Sequence, residues 1–84
     1  MTINVLYFAR FREKLGSERE ALALPAPATV QGLREVLAAR GGAWAEQLGC
    51  ERSVLVAINQ QMASRDSALA DGDEVAVFPP VTGG

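Results

Sequence analysis

The 84-residue sequence predicts an α+β domain, a mixed β-sheet with one main helix packed across it. Three observations predict this. Apolar residues alternate with a period of two in several short stretches. They recur at helical spacing in one stretch near the middle, and Pro, Gly and Asp punctuate the intervals. A chain of this length holds one core, so 1–84 is read as a single domain, with 79–84 as an extended tail.

The first element is a strand over Thr2 to Phe8, with Ile3, Val5 and Tyr7 on one face and Asn4, Leu6 and Phe8 on the other. Leu6 and Phe8 make the second face too apolar for open solvent. Either it is covered by the chain or a partner, or Phe8 belongs to the core. Arg10 to Ser17 is charged, contains Gly16 near its end, and reads as a connection between strands. Glu18 to Leu24 alternates again, with Leu22 and Leu24 inward, and Pro25 and Pro27 end it.

Thr29 is placed to cap a helix, because its hydroxyl can accept an orphan backbone N–H. Val30, Leu33, Val36 and Leu37 then form an apolar stripe, with Gln31, Arg34, Glu35 and Arg40 on the opposite side. Gly41-Gly42 ends this helix, and Trp44 and Leu48, four apart, predict a second short helical turn over the core. Val54 to Asn59 is the most apolar run and reads as a central strand, with Val54, Val56 and Ile58 on one face. Asn59-Gln60-Gln61 turns the chain, and Met62 returns it as a short edge. Asp71-Gly72-Asp73 is a turn before the last strand, Glu74 to Phe78, where Val75 and Val77 oppose Ala76 and Phe78.

Composition narrows the chemistry. The net charge is −2 with no run of Lys or Arg, which argues against nucleic acid as a partner. No apolar run nears the ~20 residues of a membrane span, and the N-terminus lacks a signal-peptide pattern. The single Cys50 suits a reducing compartment, so the expected location is cytoplasmic. There is no histidine and one lysine, Lys14, so side-chain acids, bases and nucleophiles are scarce. No metal-ligand spacing is present. Cys50 would need a base or cation to act as a nucleophile, and only Arg52 is near in sequence; it reads as a small half-buried hydrophobe.

The reactive group in reach is the tail itself, Pro79-Pro80-Val81-Thr82-Gly83-Gly84. Two glycines without side chains let a terminal carboxylate enter a slot that any Cβ would block; the other reading is a frayed end of small residues. Six residues from Pro79 span up to ~20 Å when extended. Pro79 and Pro80 favour that extended form, which lowers the entropy lost when the tail is ordered in a channel. Val81 is the one large apolar grip between them and the glycines.

Three segments together carry a resemblance. Val5-Leu6-Tyr7-Phe8-Ala9 with Arg12-Glu13, then Ala57-Ile58-Asn59-Gln60, then the whole run from Asp71 through Phe78-Pro79-Pro80-Val81-Thr82-Gly83-Gly84, resemble the small, sulfur-carrying subunit of molybdopterin synthase. That family is ubiquitin-like, of β-grasp fold with a flexible C-terminal tail. The resemblance covers nearly the whole chain and is weakest from Glu18 to Ala28 and around Trp44.

It implies a carrier whose catalytic side chains belong to a partner and which holds no permanent cofactor. An activating enzyme of the ubiquitin-activating type, an adenylyltransferase, would use ATP to adenylate the Gly84 carboxylate. Sulfur from a sulfurtransferase would displace AMP and leave a thiocarboxylate. The tail would then enter the large subunit of a heterotetramer of two small and two large chains, where two such sulfurs build the molybdopterin dithiolene from cyclic pyranopterin monophosphate. It further implies docking through Phe8, Met62 and Phe78, with Arg12 and Glu13 as polar additions. Alternatives are another β-grasp sulfur carrier, such as that of thiamine synthesis, a ubiquitin-like modifier joined to lysines through Gly84, or an interaction module without covalent chemistry.

Overall fold

The computed structural model describes residues 1–49 and 52–80. Five strands form one mixed sheet. β1 (Thr2–Tyr7) pairs antiparallel with β2 (Arg19–Ala23) and parallel with β7 (Glu74–Phe78). β7 pairs on its other side, antiparallel, with β4 (Leu55–Ile58), whose far edge carries the short β5 (Gln61–Met62). The spatial order is β2-β1-β7-β4-β5. A two-residue pairing of β3 (Ala28–Thr29) with β6 (Ala68–Leu69) stands apart, unforeseen because two residues carry no readable period.

The expected alternation sorts the two faces. Ile3, Val5, Tyr7, Val75 and Val77 are buried on the inner face, all but closed to solvent. The main helix, α2 (Val30–Ala38), supplies Val30, Leu33 and Leu37 to the same core. It starts where Thr29 Oγ1 accepts the Gly32 amide hydrogen at 3.1 Å, the expected cap. α3 (Gly42–Leu48) seals one end with buried Leu48 and with Trp44 packed against the cluster.

Several expectations are corrected. Arg10 to Ser17 is more than a connection: α1 (Arg10–Leu15) forms there and buries Phe11 completely. Ala9, at φ 55, swings the chain out of β1 so that Phe8 stays on the outer face while Phe11 turns into the core. A six-residue helix with one buried residue shows no stripe to read. Val36 is 42% exposed, so the α2 stripe is three residues wide. Arg34 faces neighbouring carbonyls, donating from Nε to the Leu48 carbonyl at 2.9 Å and from Nη2 to those of Gly49 and Arg52. It thus ties the end of α3 and the approach to β4 to α2.

The Val54 to Asn59 run supplies β4, an interior strand as expected, flanked by β7 and β5, while β7 takes the middle place of the five. β4 is apolar on both sides: Val56 faces the core, while Leu55 and Ala57 belong to an apolar outer face.

A ring of four side chains braces one edge of the core. The Tyr7 hydroxyl donates to Glu20 Oε2 at 2.9 Å. Arg40 donates to both Glu20 oxygens at 2.9 and 2.6 Å, and its guanidinium lies 4.4 Å from the Trp44 ring centroid. Trp44 meets Tyr7 edge to face at 5.4 Å. Arg40 stays exposed, as expected, while also joining this ring. Burial, then the bond to Glu20, hold the Tyr7 phenol above its ordinary value, and the Arg40 hydrogen bonds hold the Glu20 carboxyl below its own.

Measurable outcomes follow from this packing. Phe11→Ala should cost about 3–5 kcal/mol in denaturant unfolding, as for a large aromatic lost from a tight core. Tyr7 is the sole tyrosine, so phenolate absorbance reports it alone. Its ionisation should lag well above the ordinary value of roughly 10, and Glu20→Gln should bring it part of the way back. Because the raised phenol favours the folded state only while protonated, its contribution is whole below the unfolded value and is lost as pH rises beyond it. The depressed Glu20 carboxyl acts in the opposite sense, so Glu20→Gln should flatten the acid limb of the stability curve, where that contribution is lost as pH falls through the folded value.

Candidate functional site

The outer face of the sheet is built by register. Residues directly opposite on paired strands share a face, and the pairings place Arg19, Leu6, Ala76, Ala57 and Met62 in one row across all five strands. Beside it, Phe78 opposes Leu55, and the Phe8 amide donates to the Val77 carbonyl at 3.1 Å, which sets Phe8 next to Phe78. The next row is polar: Asn4 opposes Glu74.

The apolar part of this face is open. Met62 is 62% exposed and Phe8 46% exposed, while Phe78, Leu55, Leu6 and Ala76 are half-buried. Phe8 is therefore not a core residue. Phe8, Met62 and Phe78 fall on one face, together with Leu6 and Leu55. Leu55 was missed as a member of this group, although the same alternation that turned Val54 and Val56 inward turns it outward. Open apolar clusters of this kind are a feature that contact surfaces share.

Arg12 lies apart, exposed on α1, with Nη1 at 4.0 Å from Glu18 Oε1. An exposed pair at that distance contributes little stability. Glu13 is exposed on the same helix.

The sheet also positions the tail. Phe78 is the last residue of the central strand, held by β1 on one side and β4 on the other. Pro79 and Pro80 have no amide hydrogen to extend either ladder, so sheet pairing stops there. Both prolines are half-buried at the exit. The expectations for Val81, Thr82, Gly83, Gly84 and Cys50 lie outside the described residues.

The chain leaves the middle strand of a mixed sheet beside an open apolar face, and this is the architecture of the ubiquitin-like β-grasp class. The ThiS family profile matches residues 5–84, and the chain belongs to that family. It is 48% identical over 82 residues to the molybdopterin synthase sulfur carrier subunit of Escherichia coli, covering 98% of this chain and 99% of that one. A Pyrococcus furiosus structure assigned as molybdopterin converting factor subunit 1 superposes with a TM-score of 0.82 at 38% identity, over 96% of this chain and 99% of the other. A chain in the complex of subunits 1 and 2 of the molybdopterin-converting factor of Helicobacter pylori gives a TM-score of 0.69 at 25% identity, over the full length of both.

The exposure of Met62 has a measurable consequence. Met62→Ser should move the unfolding free energy by no more than about 0.5 kcal/mol, read from denaturant midpoints with an unchanged slope.

Proposed function

We propose that this chain is the sulfur carrier subunit of a molybdopterin synthase, acting in molybdenum cofactor synthesis. The observation that carries the reading is the continuity of the open face with the tail: Phe78 belongs to the face, and the next residue begins the tail. A protein that takes the tail therefore covers the face as well. The sulfur carrier relatives and the two-subunit complex from Helicobacter pylori support a large subunit as that partner.

In this reading the body supplies the address and Gly84 the chemistry. A carboxylate resists nucleophilic attack because of its charge and resonance. An adenylyltransferase joins it to AMP from ATP, with release of pyrophosphate, and so gives it a leaving group. A persulfide sulfur of a sulfurtransferase attacks the acyl carbon and displaces AMP. A second thiol then cleaves the acyl disulfide and departs in a disulfide with the sulfurtransferase, and the thiocarboxylate released is itself a nucleophile needing no histidine or lysine of this chain. Gly83 and Gly84 present no side chain to the channel, Pro79 to Thr82 guide the approach, and Phe8, Met62 and Phe78 dock, with Arg12 at the margin. Two carriers serve two large subunits in the cytoplasm, and the acids and bases that act on cyclic pyranopterin monophosphate come from the large subunit.

Intact mass tests the carriage. After incubation with the adenylyltransferase, ATP and a sulfur donor, the protein should gain the difference between one sulfur and one oxygen. An unchanged mass with an active enzyme overturns it. Phe78→Asp should weaken binding to the large subunit by about tenfold or more, the scale of a central contact residue, while the thermal transition is retained.

A further inference from the structure

The row Arg19–Leu6–Ala76–Ala57–Met62 has a relief and a charge that the docking reading leaves unused. Its two middle positions are alanines on adjacent strands, directly opposite each other. Around them stand larger side chains: Leu6 and Met62 along the row and Phe78 beside it. Ala57 is 8% exposed although it lies on the outer face, so its neighbours rise above it. The row thus dips in the middle into a shallow apolar seat the width of two strands.

Arg19 closes the row on β2, opposite Leu6. It is exposed and makes no hydrogen bond or ion pair with any described residue. The acids on either side of it are turned elsewhere: Glu20 serves Tyr7 and Arg40, and Glu18 lies by Arg12. An arginine stem alongside Leu6 can stay packed while its guanidinium receives a carboxylate in bidentate fashion.

We propose that this row is a two-point recognition element for the tail-accepting partner: one large apolar side chain of the partner enters the Ala57–Ala76 seat, and one carboxylate of the partner meets Arg19. The inference rests on the docking reading above and adds the chemistry of the partner's surface. Strands lie about 4.8 Å apart, and Arg19 is two strands from Ala76. The backbone positions of Arg19 and Ala76 are therefore about 10 Å apart, which sets the scale on which the partner's two groups are spaced. The occupant is the partner and not a second copy, because Phe78 walls the seat and leads straight into the tail, so whatever receives the tail overlies the seat. Arg19 then sets specificity, since a partner with a cation at that place would be repelled.

The test uses the full chain and the large subunit of its molybdopterin synthase, with binding measured by calorimetry at two salt concentrations. Ala76→Leu and Ala57→Leu fill the seat and should each weaken binding about tenfold or more. Arg19→Glu should weaken it at least about two- to fivefold and reduce its salt dependence, with Arg19→Lys recovering part of the loss. If Phe78→Asp weakens binding while the seat-filling variants and Arg19→Glu bind as the unaltered protein does, the two-point element is wrong and the docking reading stands. If Phe78→Asp binds normally, the docking reading fails and this inference with it. Should a seat-filling variant melt early, Arg19→Glu decides, because an exposed arginine can be reversed without disturbing the core. Self-association in sedimentation that Ala76→Leu abolishes, with large-subunit binding intact, would assign the seat to a second copy and overturn the proposal.

Discussion

The pairing of β7 with β1 and β4 is the constraint on which the rest of the structure depends. A strand between two others has its register fixed twice, and with side chains alternating, each register fixes which residues face the core. Val75 and Val77 are thereby committed inward against Ile3, Val5 and Tyr7, and Ala76 and Phe78 outward beside Leu6 and Phe8. A slip of one residue would bury Phe78 and expose two valines, so the core polices the geometry of the outer face. The outer face itself is then free to vary in chemistry without endangering the fold.

That division of labour extends to the ends of the sheet. At one end the Asp71-Gly72-Asp73 turn is held by Thr2, whose amide donates to Asp71 Oδ1 at 2.7 Å, and by Asn4, whose amide donates to the Asp73 carbonyl at 2.8 Å. Gly72 takes φ 85 there, where a side chain would be strained. The start of β7 is thus pinned to the start of β1, and the parallel pair runs to the tail without slack. At the other end neither ladder continues over Pro79 and Pro80, the last of the described residues.

Much of this was legible because it depends on local period and local chemistry. The strands of Ile3, Val5 and Tyr7 and of Val75 and Val77 announce themselves by alternation, and Thr29 by its hydroxyl at a helix start. The open face with Phe8 and Phe78 was also legible, since alternation assigns the second face as readily as the first. What escaped notice was either short or long-range. Phe11 sits in a helix of six residues, and Ala28–Thr29 and Ala68–Leu69 pair over two residues each. The roles of Arg34 and Arg40 depend on carbonyls and a carboxylate far away in sequence, which no periodicity encodes. Arg19 reaches its place only through the register of β1 with β2.

The two prolines that end the sheet also set the grammar of anything that holds the chain beyond it. Proline carries a carbonyl but no amide hydrogen. Over Pro79 and Pro80 the backbone can therefore accept hydrogen bonds and cannot give them. A groove fitted to this length must line itself with amide, hydroxyl or cationic donors, and one lined with carbonyls would leave its own groups unpaired. The exit of the chain is thus a filter of polarity as well as of width, and it discriminates among receivers by the donors they offer as well as by whether their slot admits the glycines.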